Sequence, residues 1–480
     1  MAKFRSFVSG LMGSAVLAGC SFAPTYHPPL TPAPAAFKEA GPWQPASPGT
    51  SGQAALAMDW WLAYGDATLD SLEKRVATDN PTVAGALGRY DASRAYLSEA
   101  RAGLLPQIGV STGIERDRQS DNRPLRGSTQ PDTYGASSVG GSFGYELDLW
   151  GRVRNSVAAG RAQAQASGDD LAGIRLSLEG QLADSYVVLR GYDQQAALLS
   201  ATVDAYAKAD DLTERRFRGG IASGIDTGRS GTQLAEAQAQ LDDVRAARAL
   251  TEHAIASLVG TPASSFTISP QLVQFTLPDV PTGLPSELLE RRPDVAAAER
   301  RMSAANSEIG VAKAAFYPSI SLGGQGGFQD SGLPGLFSAP SIFWSIGPSA
   351  VLNLFDGGRR KAQLAVVRAN WMQTTASYRG DVLQAFQEVE DNLAQLHHLG
   401  DEAGAEDRAV TQAAQTEALS LNRYVKGAVT YLDVVTAQTT ALRTRRTALD
   451  LTTRRLQASI GLIRALGGGW STPPAAPPKA

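Results

Sequence analysis

Four stretches of the chain alternate apolar residues with small or polar ones. They fall at about residues 107–118, 133–149, 318–329 and 340–354. A period of two with one apolar side predicts β-strands. The pattern alone fits two structures equally well: a soluble antiparallel sheet packed on helices, or a membrane β-barrel with lipid outside and water inside.

Two proline-free stretches, residues 151–211 and 357–421, predict unusually long helices. About 60 residues at 1.5 Å per residue give roughly 90 Å of helix. Apolar residues recur in both stretches at three- and four-residue steps, the coiled-coil interval: Leu171, Ile174, Leu178 and Leu182, then Val382, Phe386, Val389, Leu393 and Leu396. Such helices must pack side by side, either as a hollow tube or as a solid coiled-coil stalk.

The chain carries an internal two-fold repeat, because its landmarks recur in the same order. Residues 100–106 (ARAGLLP) resemble 312–318 (AKAAFYP), and residues 217–226 (FRGGIASGID) resemble 424–433 (YVKGAVTYLD). Each half is predicted as helix, two strands, very long helix, turn and helix. The predicted segments are a first repeat at 58–265 with its turn at about 218–226, a linker at 266–285, a second repeat at 286–470 with its turn at about 425–432, and a Pro-rich tail at 471–480.

The N-terminus predicts export and lipidation. Lys3 and Arg5 precede an apolar run that is too short to span a bilayer, which is typical of a signal peptide, here residues 1–19. The run ends in Leu-Ala-Gly-Cys, which resembles the bacterial lipobox and implies a lipid on Cys20, the only cysteine. Ser21 after it implies sorting to the outer membrane, with residues 20–57 as a lipidated tether.

If the strands cross the membrane, the protein must oligomerise. The sequence has no long apolar helix, so its membrane part would have to be β-structure. Four strands cannot close a barrel, since the smallest common barrels have eight, and open edges in lipid leave backbone groups unpaired.

Other classes of function find little support in the sequence. The net charge of −3 offers no basic surface for nucleic acid. Residues 140–144 match GxSxG, but they continue a strand pattern and lack the strand-turn-helix context of a nucleophile elbow. Adjacent His397 and His398 should point to different helix faces. We therefore expect no catalytic residue, no metal site and no cofactor beyond the lipid.

The repeat and several short motifs resemble the outer-membrane efflux proteins of the TolC/OprM type, and the lipobox resembles their NodT-like lipoprotein branch. The motifs are Trp60-Trp61, Gly65-Asp66, Asn80-Pro81, the paired Pro106 and Pro318, and the ending 465–470 (ALGGGW). The resemblance implies a mainly α fold with a membrane β-barrel. Three chains would form a twelve-stranded barrel and a periplasmic α-barrel of long coiled-coil helices.

The resemblance also implies a function. It is that of a passive exit duct for drugs or other small amphipathic compounds, lipid-anchored in the bacterial outer membrane. The implied partners are two further copies of the chain, outer-membrane lipid, a periplasmic adaptor and an inner-membrane transporter of the RND class. Two alternatives stay open: a type I secretion duct, and a non-conducting structural lipoprotein that spans the envelope.

The resemblance places a gate and a docking surface at the two predicted turns. The implied gate residues are Asp226, Tyr424 and Asp433. The adaptor would dock on Gly220, Ile221, Ala222 and Ser223 of the first turn and on Gly427, Ala428, Val429 and Thr430 of the second. Val429 and Thr436 depart from the family pattern, where some members have a basic and an acidic residue. The acids also have ordinary interpretations: Asp226 as a helix cap, and Asp433 as a first-turn acid favoured by the helix dipole.

Overall fold

The computed structural model describes residues 21–29, 34, 36–39, 58–120, 122, 131–278, 280 and 291–470. The predicted signal peptide, Cys20 and the Pro-rich tail lie outside the described residues. The described part is mainly helical with one four-stranded sheet, as predicted. It divides into two compact units, the first made of the described residues within 21–29, 90–167 and 298–378, and the second of those within 30–89, 168–297 and 379–470.

The elements follow each other in the same order in both halves. The helices are α1 (Ala67–Asp79), α2 (Pro81–Ala102), α3 (Arg152–Arg218), α4 (Gly224–Leu258), α5 (Pro293–Ala314), α6 (Arg359–Val425) and α7 (Tyr431–Ala465). The strands are β1 (Gln107–Arg118), β2 (Thr133–Glu146), β3 (Ser319–Asp330) and β4 (Ile342–Val351). The long helices α3 and α6 have 67 residues each, and α4 and α7 have 35 each, so the repeat seen in the sequence is a repeat of structure. None of the described helices is both long and apolar enough to cross a bilayer.

The sheet of the first unit has one apolar and one polar face. The strands are antiparallel in the order β1-β2-β3-β4, and residues paired across an antiparallel ladder lie on the same face. One row reads Ile108, Phe143, Gly324 and Ile346, and the next row reads Gly109, Ser142, Gln325 and Ser345. The alternation in each strand is therefore brought into register across all four strands.

The apolar face of the sheet is open to its surroundings. Val110 is 82% exposed and Trp344 is 76% exposed. In the chain's own fold these side chains have no hydrophobic core to enter, although each buried side chain of this size would contribute about 1.5–3 kcal/mol. Of the two structures that the strand pattern fits, the sheet packed on helices is not the one found, since neither helices nor a second sheet cover this face in the described structure.

The described part of the predicted tether contacts the first unit. Ser21 Oγ donates to Asn155 Oδ1 at 3.0 Å, and Asn306 Nδ2 donates to the carbonyl of Pro24 at 2.8 Å. The Phe22 ring stacks on Tyr317 with centroids 4.4 Å apart. The segment has no helix or strand over 21–29, but it is fixed along its length rather than free.

Apart from Pro106 and Pro318, which lie in the first unit, the motif residues that carried the family resemblance are structural parts of the second unit. The rings of Trp60 and Trp61 are buried in its main core. Asp66 caps α1, its Oδ1 accepting from the backbone N–H groups of Thr68 at 2.8 Å and Leu69 at 2.9 Å. Asn80 precedes α2 and donates from Nδ2 to the carbonyl of Leu258 at 2.7 Å, tying the two ends of the first repeat together.

A buried ion-pair network fixes the loop that follows α4. Asp193 lies between Arg190 Nη1 at 2.9 Å and Arg248 Nε at 2.6 Å. Arg190 and Arg248 also donate to the carbonyls of Ser269 and Ile268. Every charge has a partner, so the network orders a segment without regular secondary structure.

Candidate functional site

The two helix-connecting turns of the second unit have the same backbone geometry. Gly220 has φ +73° and Gly427 has φ +76°, a left-handed conformation that favours glycine. The N–H of Gly220 donates to the carbonyl of Phe217, and the N–H of Gly427 donates to that of Tyr424, both at 2.9 Å. The repeat therefore preserves the turn down to individual hydrogen bonds.

Both predicted gate acids take part in capping boxes. Asp226 Oδ2 accepts from the Ser223 N–H at 3.2 Å and from the Ser223 hydroxyl at 2.9 Å. Asp433 Oδ2 accepts from the Thr430 N–H at 3.0 Å and from the Thr430 hydroxyl at 2.8 Å. The capping interpretation is thus present at both positions. Asp433 is also exposed, so its charge still faces solvent.

Two tyrosines form the core behind the second turn. Tyr424 and Tyr431 are buried with ring centroids 5.2 Å apart, and Val429 and Val434 pack against them. Burial raises the pKa of Tyr431, so this phenol stays neutral at physiological pH. Val429, which departs from the family pattern, here extends the apolar cluster.

Arg216 is a site residue that the sequence reasoning missed. Its guanidinium lies 4.6 Å from the centroid of the Tyr424 ring, and its Nη1 donates to the Tyr424 carbonyl at 2.9 Å. It therefore joins the end of α3 to the end of α6 through a cation–π contact and a charge-assisted hydrogen bond. The basic residues that end α3 were visible in the sequence, but only the fold shows which of them reaches Tyr424.

Asp226 and Tyr424, two of the implied gate residues, form no hydrogen bond with each other in the described structure. Asp226 bonds to its own cap residue, Ser223. The Tyr424 hydroxyl is buried and finds no hydrogen-bond partner among the described residues. Thr436 Oγ1 donates to the carbonyl of Leu432 in its own helix at 2.9 Å. The gate assignment of Asp226, Tyr424 and Asp433 stays a prediction.

The predicted docking residues are all on the two turns, and most of them are exposed. Ile221 is the largest apolar side chain among them and is 73% exposed. Gly220, Ser223, Gly427, Ala428 and Thr430 are exposed, whereas Ala222 and Val429 are half-buried. The turns therefore present small residues and one large apolar side chain, a surface that a partner can approach closely.

An aromatic cluster in the first unit lies where the strands meet the helices. Trp150 and Tyr317 have ring centroids 5.1 Å apart, and Phe22 stacks against Tyr317. Trp150 Nε1 donates to the carbonyl of Pro318 at 2.7 Å, just before β3 begins. The chain thus reaches this end of the sheet two residues after Cys20.

The expectation that adjacent histidines diverge is wrong for His397 and His398. Their ring centroids are 5.1 Å apart at an interplanar angle of 64°. Adjacent Cα–Cβ bonds on a helix differ by about 100°. That separation still allows two exposed imidazoles to turn toward each other.

Comparison with known proteins finds relatives over nearly the whole chain. The outer membrane efflux protein family model matches residues 73–261 and 284–468. Outer membrane protein OprJ of Pseudomonas aeruginosa is 32% identical over 96% of this chain and 96% of its own length. The antibiotic efflux pump outer membrane protein ArpC of Pseudomonas putida is 28% identical over 97% and 96%.

A solved structure extends the likeness to the fold. A membrane protein from Pseudomonas aeruginosa superposes with a TM-score of 0.86 at 30% identity, covering 94% of this chain and 98% of that protein. The family match takes in each structural repeat separately, from α1 to the end of α4 and again to the end of α7. The chain belongs to the outer membrane efflux protein family, and the predictions of an outer-membrane efflux channel and of a protein without enzymatic activity are confirmed.

Proposed function

We propose that three copies of this chain form a lipid-anchored outer-membrane exit duct, gated at its turns and coupled to a periplasmic adaptor and an inner-membrane RND-type transporter. The observation that carries the proposal is the sheet. Within the described residues, β1 and β4 each have a single neighbour, and the apolar face lies exposed. An apolar face with two open edges is stable in lipid only when the edges are paired.

Strand direction supports closure by identical copies. Strands β1 to β4 alternate in direction, so β4 of one copy would meet β1 of the next as an antiparallel pair. Each copy contributes four strands with the same two free edges, β1 and β4. A closed ring of copies pairs every β4 with the β1 of the next copy, so no edge stays unpaired. Two copies would give eight strands and three would give twelve; the family resemblance favours three.

The polar face supports a water-filled interior. Glycine and serine are its most frequent residues, for example Gly109, Ser142 and Ser345, and its longer side chains include Gln325 and the acids Glu115, Asp117 and Glu146. Small side chains leave the lumen of a barrel open to solutes. A lumen lined largely by small polar side chains favours passive conduction over selection among compounds.

The aromatic cluster supports a lipid on Cys20. Phe22, Trp150 and Tyr317 stack at the helix-proximal end of the sheet, and aromatic side chains are typical of the membrane–water interface. Ser21 and Pro24 are hydrogen-bonded to the same unit. A lipid attached to Cys20 would therefore start at the level of the interface, where acyl chains can enter the bilayer.

The cargo is proposed as antibiotics or other small amphipathic compounds. One relative of matching length is described as part of an antibiotic efflux pump. A duct of this kind needs an energised transporter, and the two turns are the proposed contact with the adaptor that links them.

Native mass spectrometry of the detergent-extracted, membrane-expressed protein tests the proposal. We expect a three-chain mass in which each chain carries a triacyl increment. A Cys20→Ser variant is the matched control, and it should lose the lipid increment while keeping the three-chain mass, because the strand edges hold the assembly. A monomer that stays in solution without detergent would refute the barrel and the trimer together.

A further inference from the structure

Three potential metal ligands converge on the exposed side of α6. The side chains of His397, His398 and Asp401 bring their donor atoms within 4.8 Å of one another. His397 Nε2 and Asp401 Oδ2 are 4.0 Å apart. No other cluster of this kind occurs among the described residues.

The helix holds the cluster from behind. Leu396 and Leu399 are buried in the core of the second unit on either side of the two histidines. The ligand side chains remain accessible, His397 at 39% and Asp401 at 79% exposure. The backbone is therefore fixed by packing, whereas the side chains are free to rotate onto an ion.

The spacing suits chelation. His397 and Asp401 are separated by four positions, which places them one turn apart on the same side of the helix. Helical metal sites use the same four-residue separation of ligands. Ligands bound at about 2.0–2.2 Å lie roughly 3.4 Å apart in a tetrahedral site. Side-chain rotations that move each donor atom by about 1 Å would bring the present separations between donor atoms to this value.

We propose that His397, His398 and Asp401 bind one divalent transition-metal ion per chain. Two imidazoles with a carboxylate favour Zn²⁺, Cu²⁺ or Ni²⁺ over Mg²⁺ and Ca²⁺, which prefer oxygen ligands alone. The remaining coordination positions take water, as expected at an exposed site.

Glu402 is the candidate for a fourth ligand. It follows His398 by four positions, which repeats the spacing of His397 and Asp401 one step along the helix. Its carboxylate now lies 3.9 Å from Arg454, and both side chains are about half exposed. An exposed pair at this distance contributes under about 1 kcal/mol, so Glu402 can exchange Arg454 for a metal ion at little cost.

Calorimetric titration of the full-length, tag-free channel in detergent with ZnCl₂ and CuCl₂ tests this site. We expect one ion per chain. His397→Ala and Asp401→Asn should each weaken binding roughly tenfold or more, since even the loss of a residue that only supports a metal ligand costs that much. Electron paramagnetic resonance of the Cu²⁺ form should show coupling to imidazole nitrogen, and the His397→Ala/His398→Ala double variant should abolish it.

The matched control is His253→Ala, which removes a single exposed histidine on α4. It should leave the affinity, the stoichiometry and the Cu²⁺ spectrum unchanged. Wild-type protein that binds neither ion, or binding that survives the double variant or falls equally in His253→Ala, would overturn the proposal. Far-ultraviolet circular dichroism verifies that each variant is folded.

Discussion

Glu73 is a buried carboxyl in an apolar environment, and its replacement by glutamine should stabilise the protein in a pH-dependent manner. The side chain has 0% exposure, and both of its carboxyl oxygens lack a hydrogen-bond partner among the described residues. Its neighbours on the buried side of α1 are Leu69, Leu72 and Val76. Burial, and to a lesser extent the charge of Glu179, raise the pKa of Glu73 to about 10.

The size of the effect follows from proton uptake. The unfolded carboxyl titrates near 4.5, so above that pH the protein must bind a proton to bury Glu73. The cost is about 1.4 kcal/mol for each pH unit, or about 3 kcal/mol at pH 7 and about 5 kcal/mol at pH 8. This cost is absent below pH 4.5, where the carboxyl is protonated in both the folded and the unfolded state. It grows as the pH rises toward 10, the pKa of Glu73 in the folded protein. Glu73→Gln keeps a neutral amide of similar shape and removes this cost.

The assay is thermal unfolding in detergent, followed by circular dichroism at a fixed heating rate. With an unfolding entropy of about 2 cal/mol/K per residue, 3 kcal/mol corresponds to about 3 °C for a chain of this length. We expect Glu73→Gln to raise the midpoint by about 3 °C at pH 7, by more at pH 8 and by under about 1 °C at pH 5. Glu236→Gln, which alters an exposed glutamate on α4, should have no such effect. A Glu73→Gln advantage that stays constant from pH 5 to pH 8 would refute the reasoning.

Three further predictions concern the buried network and the turns. Asp193→Ala leaves the buried Arg190 without an ion-pair partner, while Arg248 keeps Glu252, and it should cost about 3–5 kcal/mol of unfolding free energy, seen as a lower thermal midpoint; an unchanged midpoint would contradict it. Asp433→Asn removes the charge but keeps a cap acceptor, and it should raise sensitivity to large antibiotics and single-channel conductance, whereas Thr430→Ala should cost only about 1 kcal/mol of helix stability. If both variants open the channel equally, the cap and not the charge holds the gate. Gly427→Trp should abolish cross-linking to the adaptor without changing the native mass, and normal cross-linking would exclude the second turn as the dock.

The order of helices and strands was predictable because the sequence shows the two-residue alternation of the strands and the internal two-fold repeat directly. In the structure, the register of the sheet aligns the apolar positions of all four strands on one face. The turns were predictable because Gly220 and Gly427 hold positions that require a left-handed backbone. Signals of this kind depend on residue type and spacing alone.

Contacts between distant side chains were not predictable in the same way. Arg216 is one of several basic residues at the end of α3, and only the approach of α6 selects it as the partner of Tyr424. Glu73 falls on the side of α1 that Leu69, Leu72 and Val76 bury, but a glutamate is ordinarily expected at the surface, so residue type gave no sign of its apolar environment. The Pro-rich segment after Cys20 looked like a tether, and its aromatic anchor at Phe22 depends on Tyr317, far away in the sequence.

The two turns share a backbone but differ in what they bury, and this difference suggests a division of roles. Phe217, at the end of α3, is 44% exposed, whereas its counterpart Tyr424 is 6% exposed and covered by Arg216. Ile221 and Ile225 add to the exposed apolar surface of the first turn. Exposed apolar side chains are buried when a protein partner binds, which stabilises the complex. A buried aromatic pair already stabilises the fold and offers little further area to a partner. We therefore expect the first turn to contribute more of the adaptor contact, and the second to hold the helix ends that set the width of the opening.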